Sequence, residues 1–423
     1  MGAWALLVMK IKNIGVSAAA FGSVLLALGL GNVFAQEAPP PAAEAQPPAA
    51  EEKPAGPTAM TTPTMTGPLA ANPTPMNFEA GPLGPVYVTG AVTPMYLWEN
   101  NPFPTDQRSL ASLSNGQFIF QKIDGLFQYY VQAGAYTIPA LGTPYFNTPK
   151  ATGDYFTALP VANLKLAPTD TFSIQGGKLP TLIGAEYTFT FENMNIERGL
   201  LWNQEPAISR GAQLNYTAGP LAFSFSWNDG FYSDRFTWLT GAATYTLDSA
   251  NTFEIVAGGN YAHTAKATVA TPLFQNNETI VNVIYTYNAA PFTITPYFQF
   301  THVPGDSSAP FFTLSSASTY GGAILANYSF PEDSLLPGFS VPLRFEYISS
   351  TGSLANGAPN LLYGPGSNAW SVTLTPTYQY KIYFARAEFS HVGANSTTPG
   401  LAFGRDGNNT TQTRVLVEAG IIF

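Results

Sequence analysis

The residues able to do chemistry are few, and their spacing points away from catalysis. The chain has no cysteine and three histidines, His263, His302 and His391. The missing thiols exclude a disulfide scaffold, a zinc ribbon and a cysteine nucleophile. Each histidine opens a long polar segment just after an alternating run, and none has a carboxylate or a second histidine at metal-ligand spacing. No nucleophile elbow or phosphate loop is present, and the acidic residues form no obvious acid–base pair, so an enzyme would need groups that meet only in the fold. No catalytic residue, metal ligand or cofactor is expected.

What remains is charge in two settings. The segment 180–208 holds Glu186, Glu192, Glu197 and Glu205 against Arg198, with Lys178 and Arg210 at its roots. Later in the chain come Arg344 with Glu346, Arg386 with Glu388, and Arg414 with Glu418. Members of each pair stand an even number of residues apart, so on a strand they share one face with Ser, Thr or Asn. They either satisfy one another inside a wall or set the field of a water-filled passage.

The elements that must carry these charges are strands. Only 10% of the 423 residues are charged and 14% are aromatic, yet mean hydropathy is +0.04. A soluble surface needs more charge, and a helical membrane protein is far more apolar. One-by-one alternation of apolar and polar residues reconciles these numbers. It is visible in Leu221-Ala222-Phe223-Ser224-Phe225-Ser226-Trp227-Asn228, in Phe292 to Thr301, and in Val341 to Tyr347. The runs have the length of a tilted strand crossing a bilayer. The formal charge of −9 argues against nucleic acid as a partner.

Connector lengths alternate as well. Long polar segments at 392–413, 350–367, 302–318 and 263–277 alternate with tight turns at 379–381, 288–291 and 248–251 and a Pro/Asp turn at 331–338. Short turns at one end and long loops at the other define a transmembrane antiparallel β-barrel, with the short turns expected on the periplasmic side. Strands near 86–97, 115–122, 126–137, 155–166 and 170–178, with eleven later ones, give about 16. The count changes by two if 115–122 does not pair or if 181–191 does. Charges within the span mark the lumen, because a Lys or Arg facing lipid at mid-bilayer costs about 2–4 kcal/mol. Strict alternation would turn Lys178 toward lipid, so either Gly176-Gly177 forms a bulge or the strand has already left the membrane.

Residues 1–35 read as a signal peptide: Lys10 and Lys12, an apolar run from Ile14, then Val33-Phe34-Ala35. Residues 36–84 read as a disordered Pro/Ala-rich periplasmic spacer, and 85–423 as the barrel. At the far end Val415, Val417, Ala419, Ile421 and Phe423 share a face, and the chain stops on the aromatic. This resembles the recognition strand of bacterial outer-membrane barrels, and it makes Phe423 an assembly determinant and the barrel-assembly machinery a partner.

The stretch Gly177-Lys178-Leu179-Pro180-Thr181-Leu182-Ile183-Gly184-Ala185-Glu186, followed by Asn193 to Trp202, Glu205-Pro206 and Arg210-Gly211, resembles the OmpL-like β-barrel porin family (porin-2). Trp227-Asn228-Asp229-Gly230 is similar to that family's strand-end turn. The resemblance implies an integral outer-membrane protein performing passive transport, in contact with lipid and with small hydrophilic solutes or ions. General porins, similar to this chain in architecture, fold the third long loop into the barrel. By the strand count that loop is 180–208, whose mixed charge suits a constriction. Its four glutamates and one arginine give a net charge of −3. The alternatives are a solvated external loop and, for the whole protein, a structural or adhesive barrel with a closed lumen and ligand-binding external loops. Monomer and homotrimer both stay open.

Overall fold

The computed structural model describes residues Met65–Phe423. The expected signal peptide and the first part of the spacer lie outside the described residues. From Pro85 the chain alternates large outward side chains with small or polar inward ones, and it forms a closed antiparallel barrel of 16 strands. The strands are β1 Pro85–Glu99, β2 Ser109–Lys122, β3 Phe127–Tyr136, β4 Val161–Leu166, β5 Phe172–Pro180, β6 Ile208–Ala218, β7 Leu221–Asn228 and β8 Trp238–Thr246. They continue with β9 Asn251–Asn260, β10 Thr279–Ala289, β11 Phe292–Val303, β12 Ala317–Ser329, β13 Phe339–Ser350, β14 in two pieces Asn368–Leu374 and Thr377–Tyr380, β15 Tyr383–Asn395 and β16 Thr411–Ile422. Within β14 the pairing breaks between Leu374 and Thr377, where Pro376 has no N–H to give the ladder.

Each strand pairs with its neighbours in sequence, and β16 closes on β1 with Arg414 opposite Glu99 and Ile422 opposite Ala91. Phe423 completes the seam. Its N–H donates to the Gly90 carbonyl at 3.0 Å, its own carbonyl accepts the Gly90 N–H at 2.9 Å, and its ring meets Phe118 edge-on at 5.5 Å. The outer face is apolar, with Phe127 70%, Leu164 72% and Phe345 51% exposed, while Arg344 and Glu346 on the inner face are fully buried. On the outside there is only surface for lipid to cover, so the packed core lies within the barrel.

Two expectations shift. The strand placed at 155–166 begins only at Val161, and the one placed at 115–122 begins earlier, at Ser109. Residues 181–207 contribute no strand. Residues 65–84, read as part of an unfolded spacer, lie against the barrel. Met76–Glu79 pairs with the start of β1, and Leu69 is 3% exposed. Ala70 exchanges hydrogen bonds with the Gln379 side chain at 2.8 and 2.9 Å, and the Thr66 N–H donates to the Glu192 carbonyl at 3.0 Å. This segment therefore enters the short-turn mouth beside Tyr87, Phe384 and Ile422.

Candidate functional site

The segment between β5 and β6 lies inside the barrel. Its large apolar side chains fall at irregular spacing and so favour neither strand nor helix; what they favour is burial. Ile183, Phe189, Phe191, Met194, Ile196, Leu200 and Leu201 are each at most 2% exposed. They meet different parts of the wall: Ile183 packs with Trp238, Val256 and Ile280, Ile196 with Met95, Leu97 and Leu416, and Leu201 with Ile284, Tyr297 and Ile348. The loop thus spans the lumen from side to side. Each such side chain withdrawn from water contributes about 1.5–3 kcal/mol.

An irregular backbone buried this way leaves N–H and C=O groups that need partners. The wall charges supply them. Glu388 accepts the N–H groups of Ile196 and Glu197 at 2.5 and 3.1 Å, and Glu346 accepts those of Leu200 and Leu201 at 3.0 and 3.3 Å. Arg386 donates to the carbonyls of Asn193 and Thr190 at 3.1 and 2.6 Å while pairing with Glu418 at 2.6 Å. Arg344 donates to the Glu197 carbonyl at 2.7 Å and pairs with Glu186 at 2.5 Å, and its Nε lies 3.3 Å from Glu346. Arg414 pairs with Glu197 at 2.8 Å and Glu99 at 2.7 Å and donates to the carbonyls of Ala140 and Thr143.

All six wall residues singled out from sequence are therefore gathered against the loop, and their burial puts them under it instead of in open water. Glu99 was missed. Its parity on β1 matches Arg414 only once the first and last strands are joined.

Within the loop, Glu186 also accepts the Gly199 N–H at 2.7 Å, and Glu192 accepts the Phe189 N–H at 3.0 Å. Burial pushes the Glu192 carboxyl up to about 8. Glu205 is raised well above the usual carboxylate range, first by burial and then by Glu186 and Glu346 nearby. It lies so close to Gly184 that a Cβ there would meet its Oε2 at 1.8 Å. Arg198 is fully buried over the Trp202 ring, 5.6 Å from its centroid.

Lys178 and Arg210, placed at the constriction from sequence, are not in it. They share the outward parity of Ile174 and Leu214 and are paired with each other across β5 and β6. The register of both β5 ladders runs through Gly176 and Gly177 without a shift, so the strand end and not a bulge accommodates Lys178. Its amine is held by the carbonyls of Phe156 and Leu159 at 3.1 and 2.8 Å, and Arg210 pairs with Asp229 at 2.8 Å over the Tyr232 ring. At the long-loop end, beside the inward loop, lies a cavity of ≈ 420 Å³ bordered by Trp202, Gln204, Tyr363 and Gln275. His302 and His391, expected to open loops, lie within β11 and β15 and bond across the ladder to Ser318 at 2.9 Å and Thr413 at 2.8 Å, and His263 contacts Asp306.

A closed barrel of 16 strands, apolar outside and crossed by an inward loop, defines the class: an integral outer-membrane porin. The chain belongs to the family described as "Putative beta-barrel porin-2, OmpL-like", whose family model matches residues 85–423. Among curated proteins nothing matches. Three solved structures show the same fold. The outer membrane channel DcaP of Acinetobacter baumannii is similar with a TM-score of 0.53 and 12% identity, over 80% of this chain and 97% of that one. The anion-selective porin from Comamonas acidovorans gives 0.51 and 11%, over 80% and 99%. OmpT of Vibrio cholerae gives 0.51 and 12%, over 83% and 100%. At such identities the likeness is one of fold alone.

Proposed function

We propose that the barrel is a passive diffusion channel for small hydrophilic solutes and ions, narrowed by residues 181–207, with its long loops outside the cell and its short turns and N-terminal segment in the periplasm. The observation that carries this reading is the clamp. Arg344 and Arg386, with Glu346 and Glu388, fix the loop's backbone at mid-barrel and Arg414 holds its Glu197 carboxylate, as a permanent constriction requires. Carboxylates outnumber guanidinium groups in and around the loop, which favours cations over anions. Assembly as a homotrimer belongs to the same proposal.

The wall-to-wall span of the loop favours a second reading, a structural or adhesive barrel with a closed lumen. Recording purified protein in a planar bilayer separates the two. The channel reading expects discrete ohmic steps with a modest cation preference in a salt gradient. A folded, heat-modifiable protein that inserts yet gives no steps would leave the closed barrel.

A further inference from the structure

The charges conspicuous in the sequence are not those a solute meets. Arg344, Arg386, Arg414, Glu346, Glu388 and Glu418 are each at most 2% exposed beneath the loop. The segment around Leu69 and Ala70 covers the lumen wall on the β1, β15 and β16 side of the short-turn mouth. The opposite wall is bare. Along the lumen face of β6 to β11 near that mouth, Asn215, Ser224, Thr244, Thr252, Thr286 and Thr293 are all half-exposed. They give that wall a polar, uncharged, partly accessible lining.

Two charges interrupt that lining. On the lumen face of β5 to β12, Glu254 is the one acidic or basic side chain among the described residues. It sits on β9 four residues after a tight turn, half-exposed, and accepts the Thr244 hydroxyl at 3.2 Å. On β4, Lys165 stands opposite Gln128 and Gln175 in the two flanking ladders, shares their inward parity, and is half-exposed one residue from the strand's end. No ion pair engages either charge among the described residues. Neither charge is offset by a paired side chain of opposite sign among the described residues.

We infer that Glu254 and Lys165 are the specificity-determining residues of the channel, acting on permeating ions at the short-turn mouth with opposite sign. The inference rests on the diffusion-channel reading. An ion passing about 6 Å from a unit charge in water is favoured or disfavoured about threefold before screening, and added salt collapses the effect as the Debye length shrinks from about 10 Å at 0.1 M to 3 Å at 1 M.

The test is the reversal potential of folded protein in planar bilayers under a KCl gradient. Glu254→Gln should lower the K⁺/Cl⁻ permeability ratio at low salt by up to about ninefold, about threefold for each ion in opposite directions, and Lys165→Gln should raise it by a similar factor, both differences fading at 1 M. The chain has no cysteine, so Glu254→Cys gives a second handle. An anionic methanethiosulfonate should restore the ratio and a cationic one should drive it further down. Steps of normal conductance with an unchanged ratio in all variants would overturn the inference while leaving the channel standing. Absence of steps from folded wild-type protein would remove the channel reading itself, and this inference with it.

Discussion

Replacing Arg344 by Met should free the inner loop without unravelling the barrel. The guanidinium is fully buried and binds Glu186 at 2.5 Å and the Glu197 carbonyl at 2.7 Å, with the Thr373 hydroxyl at 3.2 Å. Methionine fills a similar volume but leaves Glu186 and Glu346 without their cation. Removing one partner of a buried pair costs about 3–5 kcal/mol. At about 1.4 kcal/mol per factor of ten, the released loop gains roughly a hundredfold to a few thousandfold in population. The strand ladders are untouched, so the protein should still shift on heating in a gel. The assay is limited proteolysis in detergent micelles, followed by mass spectrometry: cleavage within 186–205 should appear in Arg344→Met and not in wild type. Adding Glu186→Gln and Glu346→Gln removes the stranded charges and should restore much of the protection. Wild-type resistance in the single variant would refute the clamp.

Three further outcomes follow from other contacts. Deleting Phe423 removes the seam contacts to Gly90 and Phe118 and should lower the yield of folded, heat-modifiable barrel in the outer membrane while export continues; undiminished yield would detach this residue from assembly. Because the Glu192 carboxyl is raised to about 8 from 4.5, the folded barrel keeps a proton that the unfolded chain releases. This contribution is present below about pH 4.5 and lost as pH rises through 8, so the urea midpoint of wild type should fall more steeply with pH than that of Glu192→Gln. For topology, single cysteines at Val269, Ser308, Leu354 and Thr397 should react with an impermeant thiol reagent on intact cells, and one at Ser249 should not. The neighbouring Thr271 and Ala358 are only 7% and 8% exposed and would label poorly in either orientation.

The wall was legible because a strand's two faces meet different solvents, and period-two runs such as Leu221 to Asn228 record this residue by residue. The inward loop was legible from its place in the connector order and its glutamates. What escaped depends on partners distant in sequence. Glu99 meets Arg414 only through barrel closure, and Leu69, one apolar residue in a Pro/Ala-rich stretch, finds its core only inside the mouth. Lys178 and Arg210 flank the loop in sequence, yet strand parity turns them outward. Lys165 and Glu254 belong to no conspicuous pair. Their weight comes from what the loop and the residues around Leu69 leave uncovered, a property of the assembled lumen and not of any local pattern.

The central claim is that residues 181–207 form the narrowest part of a conducting passage. Excising Thr188 to Trp202 and comparing single-channel conductance with wild type in the same bilayer tests it directly. The account predicts a folded barrel with several-fold larger steps. Equal conductance in a folded, inserted variant would contradict it, because the loop would then not be what limits flow.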